Sequence, residues 1–395
     1  LQAAQMAGLR SVRLVDRSVA AAQSLLLPEF SDRHPADDGD NDHDHDGNDD
    51  DAAAPSGAFD PSSDQQVLFL GLTGQGTEAA LFQRDASQVR QRATAGHWHT
   101  GTLAWLQRLV EMAAAAFQAE FGVDPRKSSQ AVRLQIACES AMNMLMIMPS
   151  AKVTLQLNAA ARSITLQRSA WLARCEDLIQ GVRRAVKSAC HDAAASRRRI
   201  DRVLTVGPLL RLTEVREAVF RGFKEEVLFT ALDRTDLARG AAACLASELP
   251  GRGSIAMPPQ SVTTQTIGIL IEDPQGRRRI MPIVPRGTSL PARTNRRLTV
   301  GPTQETMALS LVESSGIQRE DWHSLGRYDF ELSDTAEDQE SRNRMMGFEV
   351  NVNGMLIVRA QTSGVPGSTK LPPLPKPMLD ETQLASWTRW IDKFD

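Results

Sequence analysis

The sequence lacks the features that would place the protein in a membrane or around a metal. None of its apolar runs approaches the ~18 residues that a helix needs to cross a bilayer. Its four cysteines, Cys138, Cys175, Cys190 and Cys244, form no C-x-x-C pair and have no histidine at ligand spacing, which excludes zinc and redox motifs. His191 follows Cys190 directly, but adjacent side chains on a helix point apart. We therefore expect reduced structural thiols, no bound metal, no membrane partner and a cytoplasmic setting.

The chain also lacks a recognisable beginning. Its first residues, LQAAQMAGLR, do not start with methionine and show no basic region followed by an apolar one. We interpret this start as a truncation that hides any targeting signal and any upstream domain. The 395 residues, of which 42% are apolar and 24% charged, are enough for a globular protein of two or three domains.

Apolar residues are almost absent from one acidic stretch near the start. Residues 31–51 contain ten aspartates and one arginine, so the rest of the chain carries a net charge of about +6. Three aspartates and a glycine fit the first half of an EF-hand loop; they are Asp42, Asp44, Asp46 and Gly47. The second half fails, because Ala53 stands where the bidentate glutamate is needed. We predict a disordered acidic insert over residues 31–64 without a calcium site.

Strand and helix patterns alternate over residues 1–249. QQVLFL and EAALFQR, within residues 65–84, predict a hairpin around the glycine-rich stretch GLTGQGTE. Apolar spacing predicts one helix over TLAWLQRLVEMAAAAFQAEF that ends at Gly122, a second from Ser129 to Pro149, and a third over WLARCEDLIQGVRRAVKSAC. A further strand turns at Gly207–Pro208 into another helix. The pattern indicates an α/β domain.

The pattern changes after a Pro/Gly/Ser-rich linker at residues 250–261. Residues 262–365 consist of short alternating segments separated by turn residues, which is typical of a β-sandwich. The clearest hairpin is FEVNVNGMLIVRA, where Asn353–Gly354 supplies the positive φ angles of a tight turn. Residues 366–395 predict a Pro-rich spacer and one short amphipathic helix. The sequence thus predicts a multidomain protein, α/β followed by β-sandwich.

Several motifs, taken in order, resemble the DnaK-type 70-kilodalton heat-shock chaperones. FEVNVNGMLIVRA is similar to the family's F-D-I-D-A-N-G-I-L-H-V-S-A, and VTTQTIGILIED and IVPRGTSLP are similar to V-T-P-L-S-L-G-I-E and I-P-R-N-T-T-I-P. AGLRSVRLVDRSVAAA resembles A-G-L-N-V-L-R-I-I-N-E-P-T-A-A-A, and IACESAMNML resembles A-C-E-R-A-K-R-T-L. The resemblance implies the C-terminal part of an actin-like ATPase domain, followed by a β-sandwich peptide-binding domain.

The glycine-rich stretch takes the place of the family's D-L-G-G-G-T-F-D, a hairpin whose backbone N–H groups approach the ATP phosphates. GPLLR similarly stands where the family has G-G-S-T-R. The resemblance implies a nucleotide site of eight residues: Arg17, Gly74, Gly76, Thr77, Glu78, Glu139, Gly207 and Arg211. The implied cofactors are ATP or ADP with Mg²⁺, bound more weakly than in the family.

The chemistry of this site departs from the family. Gly71 replaces the leading aspartate, and Arg17 replaces a glutamate. Arginine does not act as a general base, although it pairs well with phosphate. On the nucleoside helix Glu139 remains, while Met142 and Asn143 replace a lysine and an arginine. We expect compromised hydrolysis, assign no catalytic residue, and leave open whether the chain is an enzyme.

Each of these positions also has a purely structural interpretation. Gly74 and Gly76 can simply form a tight hairpin. Arg17 and Arg211 can be ordinary surface charges, and Glu139 an exposed residue of a helix. Only the joint resemblance favours a nucleotide site.

The resemblance implies a peptide-binding cleft in the sandwich. Its pocket falls on five apolar residues: Ile267, Ile269, Leu298, Met307 and Leu309. The alternative is that these residues are the inward positions of any β-sandwich. Glu272, on one lip of the cleft, would favour basic peptides. The family's helical lid is expected to be absent, because only a short tail follows LPPLPKP.

The linker predicts weak communication between the two domains. In AMPPQS, residues 256–261, Pro258 and Pro259 replace the branched apolar residues of the family and Ser261 replaces an aspartate. Proline fixes φ and removes an N–H donor, so we expect a semi-rigid spacer.

Three functions remain open at this stage. The first is a divergent, heat-shock-70-like chaperone that binds extended apolar segments of unfolded proteins, with co-chaperones as further partners and no nucleic acid. The second is a working ATP-dependent folding chaperone of the stress response, completed by a missing N-terminal half. The third is a non-catalytic scaffold that binds one fixed partner.

Overall fold

The computed structural model divides the chain into two compact units, residues 17–259 and residues 260–395 together with 1–16. We call them the α/β unit and the sandwich unit. The described residues are 14–27, 65–246, 260–371 and 382, with gaps at 75, 85–88, 158–159, 273–274, 300–305, 315–321, 332–342 and 362–368. The predicted acidic insert, nearly all of the linker and the predicted C-terminal helix lie outside the described residues.

The α/β unit is built on one mixed sheet and a separate hairpin. Its strands are β1 (Gln65–Leu72), β2 (Gly76–Arg84), β3 (Val89–Trp98), β4 (Ser150–Leu157), β5 (Ala160–Gln167), β6 (Arg202–Val206) and β7 (Leu228–Ala231). The main sheet has the order β3-β2-β1-β6-β7, and β4 pairs with β5. The β1–β2–β3 strands are antiparallel, while β1, β6 and β7 are parallel. The predicted hairpin at residues 65–84 is confirmed.

Helices connect and cover these strands. They are α1 (Arg17–Ser24), α2 (Thr102–Phe121), α3 (Ala131–Leu145), α4 (Arg168–Arg174), α5 (Glu176–Asp192), α6 (Thr213–Phe220) and α7 (Arg234–Ala246), with short 3-10 turns at Pro125–Lys127, Arg197–Arg199 and Pro208–Arg211. Gly122 ends α2 with a φ of 71°, as predicted.

Two predicted helices have different bounds in the structure. The second ends at Leu145 instead of Pro149: residues 146–148 form a turn, and a helical Met148 is disfavoured because proline follows it. The third is broken at Cys175, which separates α4 from α5. The strands β3, β4, β5 and β7 were not predicted, although SAKVTLQL in β4 alternates buried and exposed residues clearly.

Two tryptophans lie at the centre of the α/β core. The rings of Trp105 and Trp171 meet edge to face with centroids 5.9 Å apart, and both side chains are fully buried. Their indole N–H groups donate to the carbonyl oxygens of Thr100, at 3.0 Å, and Trp105, at 3.1 Å. Because these bonds satisfy both polar groups of the buried rings, the pair fixes the start of α2 against α4.

The sandwich unit contains two antiparallel sheets. Its strands are β8 (Thr266–Glu272), β9 (Arg278–Val284), β10 (Ala292–Thr299), β11 (Thr306–Ser314), β12 (Trp322–Glu331), β13 (Asn343–Val350), β14 (Leu356–Gln361) and β15 (Thr369–Lys370). One sheet has the order β12-β11-β8-β9 and the other β10-β13-β14-β15. Residues of both sheets share one buried cluster, such as Leu309 of the first and Phe348 of the second. The predicted hairpin is confirmed, but its turn is not the predicted tight one. Residues 351–355 connect the two strands, and of the pair Asn353–Gly354 only the glycine has a positive φ, of 72°.

Candidate functional site

The glycine-rich loop between β1 and β2 is tied to the first turn of α2. The N–H of Thr73 donates to the carbonyl oxygen of Gly76 at 3.3 Å, which closes the turn. The N–H groups of Thr102 and Leu103 donate to the carbonyl oxygens of Thr73, at 3.1 Å, and Gly74, at 3.0 Å. The first N–H groups of a helix have no carbonyl partner within the helix. Here they donate to carbonyl oxygens of the loop, whose negative partial charge would otherwise repel an anion. Gly74 itself is exposed at the tip.

The approach of α2 to the loop requires a glycine. A Cβ atom on Gly101 would overlap the carbonyl oxygens of Thr73 and Gly74. Beside this contact the hydroxyl groups of Thr77 and Thr100 lie 2.7 Å apart, and both side chains are buried. Backbone contacts therefore fix the shape of the loop. A fixed loop is expected both if it binds a nucleotide and if it is only a structural turn.

A second turn meets the loop at the carboxyl ends of the parallel strands. Gly207, directly after β6, has a φ of 121°, and a Cβ atom there would overlap the carbonyl oxygen of Leu72 at the end of β1. In open α/β sheets ligands bind in the crevice outside the carboxyl ends of the strands. The structure thus brings the predicted residues Gly74, Gly76, Thr77 and Gly207 to that edge of the sheet.

The two departures from the family motif, Arg17 and Gly71, are neighbours in the structure. Nη1 of Arg17 donates to Oγ1 of Thr73 at 2.6 Å. A Cβ atom on Gly71 would lie 3.5 Å from the same nitrogen, and 3.1 Å from the ring of Phe69. The guanidinium therefore borders the space that a larger side chain at position 71 would enter. A positive charge now stands at the base of the loop, where the resemblance implies two carboxylates.

The remaining predicted nucleotide residues are less closely associated with the loop. Glu78 pairs with Gly96 across β2 and β3 and is half-buried. Arg211 is exposed at the end of the turn after Gly207. Glu139 is exposed on α3, a helix that packs against α2 and β4. No hydrogen bond given for the described residues joins Glu139 or Arg211 to the loop.

A cavity of about 770 Å³ opens beside the loop, and no sequence motif indicated it. It lies between the end of β3, the first half of α2 and the start of α5. Arg108 spans it, with Nη2 3.1 Å from a carboxylate oxygen of Asp177 and Nη1 3.9 Å from one of Glu111. The other lining residues are His97, His99, Thr100, Leu103, Ala104, Gln107, Leu178 and Arg184. Both positively and negatively charged side chains line the cavity, so its charge does not favour the binding of anions over cations.

The cysteines behave as buried structural residues. Burial raises the pKa of Cys138 and of Cys175 to about 12, and that of Cys190 to about 11. All four cysteines are buried and none forms a disulfide, and the thiols of Cys138, Cys175 and Cys190 stay protonated at neutral pH. Within the described ranges, no group of three or more metal-binding side chains is found. Among the helices of those same ranges, none has the length and apolar character for crossing a bilayer.

The predicted peptide-binding residues divide into two groups. Ile267, Ile269 and Leu309 are 8%, 3% and 1% exposed and lie in the cluster between the two sheets. In this conformation they are core residues, as the structural alternative expects. Leu298 and Met307 are half-buried, and Leu298 packs against the edge of the cluster. Only these two present apolar surface that a ligand could cover without moving the core.

The end of the first sheet where β8 and β9 join carries a half-buried apolar patch. We call it the hairpin-end patch, and its residues are Ile271, Met281, Met307 and Phe330. Met307 pairs with Phe330, and Ile271 lies two residues beyond Ile269, which pairs with Met281. The patch continues the buried core outward. Sequence alternation could have found Ile271 and Phe330, because both keep the period of the buried residues.

Glu272, which the sequence suggested as a lip favouring basic peptides, has a cationic neighbour. It pairs across the hairpin with Arg278, with Oε2 of the glutamate 3.6 Å from Nε of the arginine. Both side chains are more than half exposed, so the ion pair contributes little to stability. The carboxylate is nevertheless no longer an isolated negative charge.

Comparison with known proteins agrees with the sequence motifs. The family model for the Hsp70 protein matches residues 1–374. Chaperone protein dnaK1 of Parasynechococcus marenigrum is 28% identical over 78% of this chain and 47% of its own length. Heat shock 70 kDa protein 6, chloroplastic, of Arabidopsis thaliana is 25% identical, with coverage of 79% and 44%. Chaperone protein DnaK of Thermotoga neapolitana is 27% identical, with coverage of 63% and 43%.

The match is broad, but it covers only part of the relatives. The chain spans less than half the length of these three curated proteins. The family model, by contrast, covers nearly all of the 395 residues. On this evidence the chain is a divergent member of the Hsp70 protein family.

Proposed function

We propose that this chain is part of a molecular chaperone that binds extended apolar segments of unfolded polypeptides through its sandwich unit. The observation that carries the proposal is the half-buried apolar surface of Leu298 and the hairpin-end patch, at the end of an otherwise well-packed sandwich. Such surface is what an extended peptide with alternate apolar side chains can cover. The family of the chain supports the same interpretation.

The test of peptide binding is the substitution Leu298→Asp. A carboxylate at a site that a ligand desolvates costs several kcal/mol, roughly 2–7 for an unpaired polar group, so we expect binding of an apolar, fluorescein-labelled peptide to be lost in anisotropy titrations. Val352→Asp is the matched control, because Val352 is 48% exposed in the turn between β13 and β14. Equal affinity of both variants, with circular dichroism unchanged, contradicts the assignment of the cleft.

We further propose that the α/β unit retains a weakened nucleotide site. The groups that fit phosphate are the backbone of Gly74 and Gly76 and the guanidinium of Arg17 beside the loop. The hydroxyl of Thr77, which the sequence also suggested, is buried and bonded to the hydroxyl of Thr100. The groups beside the loop do not fit a magnesium ion held as the resemblance implies, because Gly71 offers no carboxylate and Arg17 adds a positive charge. ATP or ADP would thus be bound mainly through its phosphates, and neither Gly71 nor Arg17 can act as a general base.

Two other functions compete with this proposal. In the first, upstream residues supply the missing groups and the whole protein is an ATP-dependent folding chaperone. Sequencing upstream of the chain tests this function, because a catalytic lysine and a second phosphate hairpin there would favour an active ATPase. In the second, the sandwich is a scaffold for one fixed partner, which the burial of Ile267, Ile269 and Leu309 favours. A peptide array separates the scaffold from the chaperone, since a chaperone binds many apolar sequences.

The setting of the protein follows from the same proposal. Unfolded polypeptides and co-chaperones are the partners that a chaperone of this family would have, and a cytoplasmic location fits the buried, protonated thiols. Neither nucleic acid nor membrane is required for this function. Fractionation of the native host, followed by detection of the protein, tests the location directly.

A further inference from the structure

Three consecutive arginines lie where the edge strand β9 starts, beside the hairpin-end patch: Arg277 precedes the strand, and Arg278 and Arg279 are its first two residues. Arg277, Arg278 and Arg279 are all exposed. Arg278 pairs with Glu272 at 3.6 Å, and a guanidinium nitrogen of Arg277 donates to the amide oxygen of Gln275 at 3.3 Å. The hairpin sequence therefore holds three arginines and two acidic residues, Glu272 and Asp273, of which Asp273 lies outside the described residues.

Strand register places Arg279 on the same face as the apolar patch. Arg279 pairs with Ile271, and Ile271 packs against the core cluster. Residues that pair across an antiparallel ladder share one face of the sheet, so Arg279 belongs to the inward face. The pairing of β8 with β11 ends at Ile269 and Leu311. Two residues further along their strands, Ile271 and Leu309 keep the same inward face and pack in the same cluster.

The facing sheet adds a second inward arginine. Arg296 of β10 pairs with Met346, which is fully buried, so Arg296 also belongs to an inward face, and it is exposed. Like β9, β10 is an edge strand of its sheet. Leu298 lies two residues further along β10 and packs against the core cluster. Each edge strand therefore carries an exposed, inward-facing arginine next to a half-buried apolar residue of the proposed cleft.

We infer that the sandwich prefers peptides in which acidic residues flank an apolar centre, with Arg279 as the specificity-determining residue. The inference rests on the proposed peptide binding and names its substrate class. An apolar segment would cover Leu298 and the hairpin-end patch, and a flanking carboxylate would lie within reach of Arg279. A lysine or arginine at the same flank would meet a like charge, which weakens binding. This preference is the opposite of the one that Glu272 alone would give.

The test uses three labelled peptides and the 395-residue chain. They share one Leu/Val centre, are acetylated and amidated at their ends, and carry two Asp, two Lys or two Ser on each flank. We expect the Asp peptide to bind about tenfold more tightly than the Lys peptide at low salt, as one or two surface charge pairs allow. In 0.5 M salt the ratio should fall to about twofold, because ions screen exposed charges.

Two variants with the same change in net charge locate the effect. Arg279→Glu should remove or reverse the preference for Asp flanks. Arg359→Glu should leave the preference unchanged, because Arg359 is exposed on the outward face of the other sheet, opposite Lys370. If both variants shift the ratio equally, net charge decides and Arg279 has no special role, which overturns the inference.

The serine-flanked peptide separates this inference from the proposed function. If it binds while the Asp and Lys peptides bind equally, peptide binding stands and the charge preference is wrong. Tighter binding of the Lys peptide also overturns the inference, and is the preference that Glu272 alone would give. If none of the three peptides binds, the proposed function itself fails.

Discussion

The two units of this chain differ in what supports the site proposed for each. In the α/β unit the loop is held by close backbone contacts at Gly101 and Gly207, while Gly71 and Arg17 stand where the resemblance implies carboxylates. In the sandwich unit all five residues predicted for the cleft are apolar, and three of them lie in the core. The proposed nucleotide site thus depends on backbone shape, whereas the proposed peptide site depends on apolar side chains, some of which also hold the fold together.

The comparison predicts its largest effect in catalysis. Since a general acid/base group contributes typically 10²- to 10⁴-fold, we expect the full-length protein to hydrolyse ATP more slowly than an ordinary family member by about that factor. The physical reason is that Arg17 and Gly71 provide no carboxylate beside the loop. Single-turnover measurements beside a DnaK-type relative provide the check, and equal rates would show that other residues supply the missing groups.

The importance of backbone shape in the α/β unit can be tested at two glycines. Gly207→Ala should destabilise the unit by about 4 kcal/mol, because the methyl group overlaps the carbonyl oxygen of Leu72 and the φ of 121° strains any other residue. Gly74→Ala should cost less than about 0.5 kcal/mol, since a Cβ atom there has nothing within 4 Å. Urea unfolding followed by tryptophan fluorescence measures both. Similar losses in the two variants would mean that the turn adapts.

In the sandwich unit, replacing a side chain by alanine should lower the free energy of unfolding more at a core residue than at a half-buried one. Leu309→Ala should lower the free energy of unfolding by about 3 kcal/mol, because Leu309 is 1% exposed and its removal leaves a cavity. Met307→Ala should cost about 1 kcal/mol, since Met307 is half-buried at the hairpin end. Thermal unfolding followed by circular dichroism compares the two. A small loss at Leu309 would instead favour an open pocket at this position.

The smallest expected effect is the change in peptide affinity of the sandwich unit when ATP binds to the α/β unit. Allostery requires a two-state element that both ligands bias, and in the linker Pro258 and Pro259 replace the apolar residues that serve this role in the family. We therefore expect ATP to change the peptide affinity of the full-length protein by less than ~5-fold, the low end of typical coupling. Stopped-flow measurement of the peptide off-rate is the check. An increase by two orders of magnitude would contradict the prediction.

Sequence patterns were sufficient for the elements that depend on neighbouring residues. The β1–β2 hairpin, the end of α2 at Gly122 and the positive φ of Gly354 were all predicted, because periodicity and positive φ angles leave local signals. The strand β4 also alternates clearly along its length and was not predicted, whereas β5 alternates only in its second half. The break at Cys175 left no such signal, since one helical period runs through it.

For the candidate site, sequence alone named the loop glycines and Gly207, but not the contacts that give them a role. That Arg17 borders Gly71, that Gly207 lies against Leu72 and that Arg279 faces the apolar patch are relations between residues far apart in the chain. The cavity around Arg108 is of the same kind, since its lining comes from β3, α2 and α5.

The sequence by itself determined the family, the order of an α/β part and a β-rich part, and the replacement of the carboxylates that the resemblance implies at positions 17 and 71. Only the tertiary structure decided which apolar residues of the sandwich are core and which remain half-buried, and which charges lie next to them. The physical reason is that alternation along a strand tells the inward face from the outward one, but not how completely the opposite sheet covers it. That coverage separates Leu309, which is fully enclosed, from Met307, only two residues away on the same face.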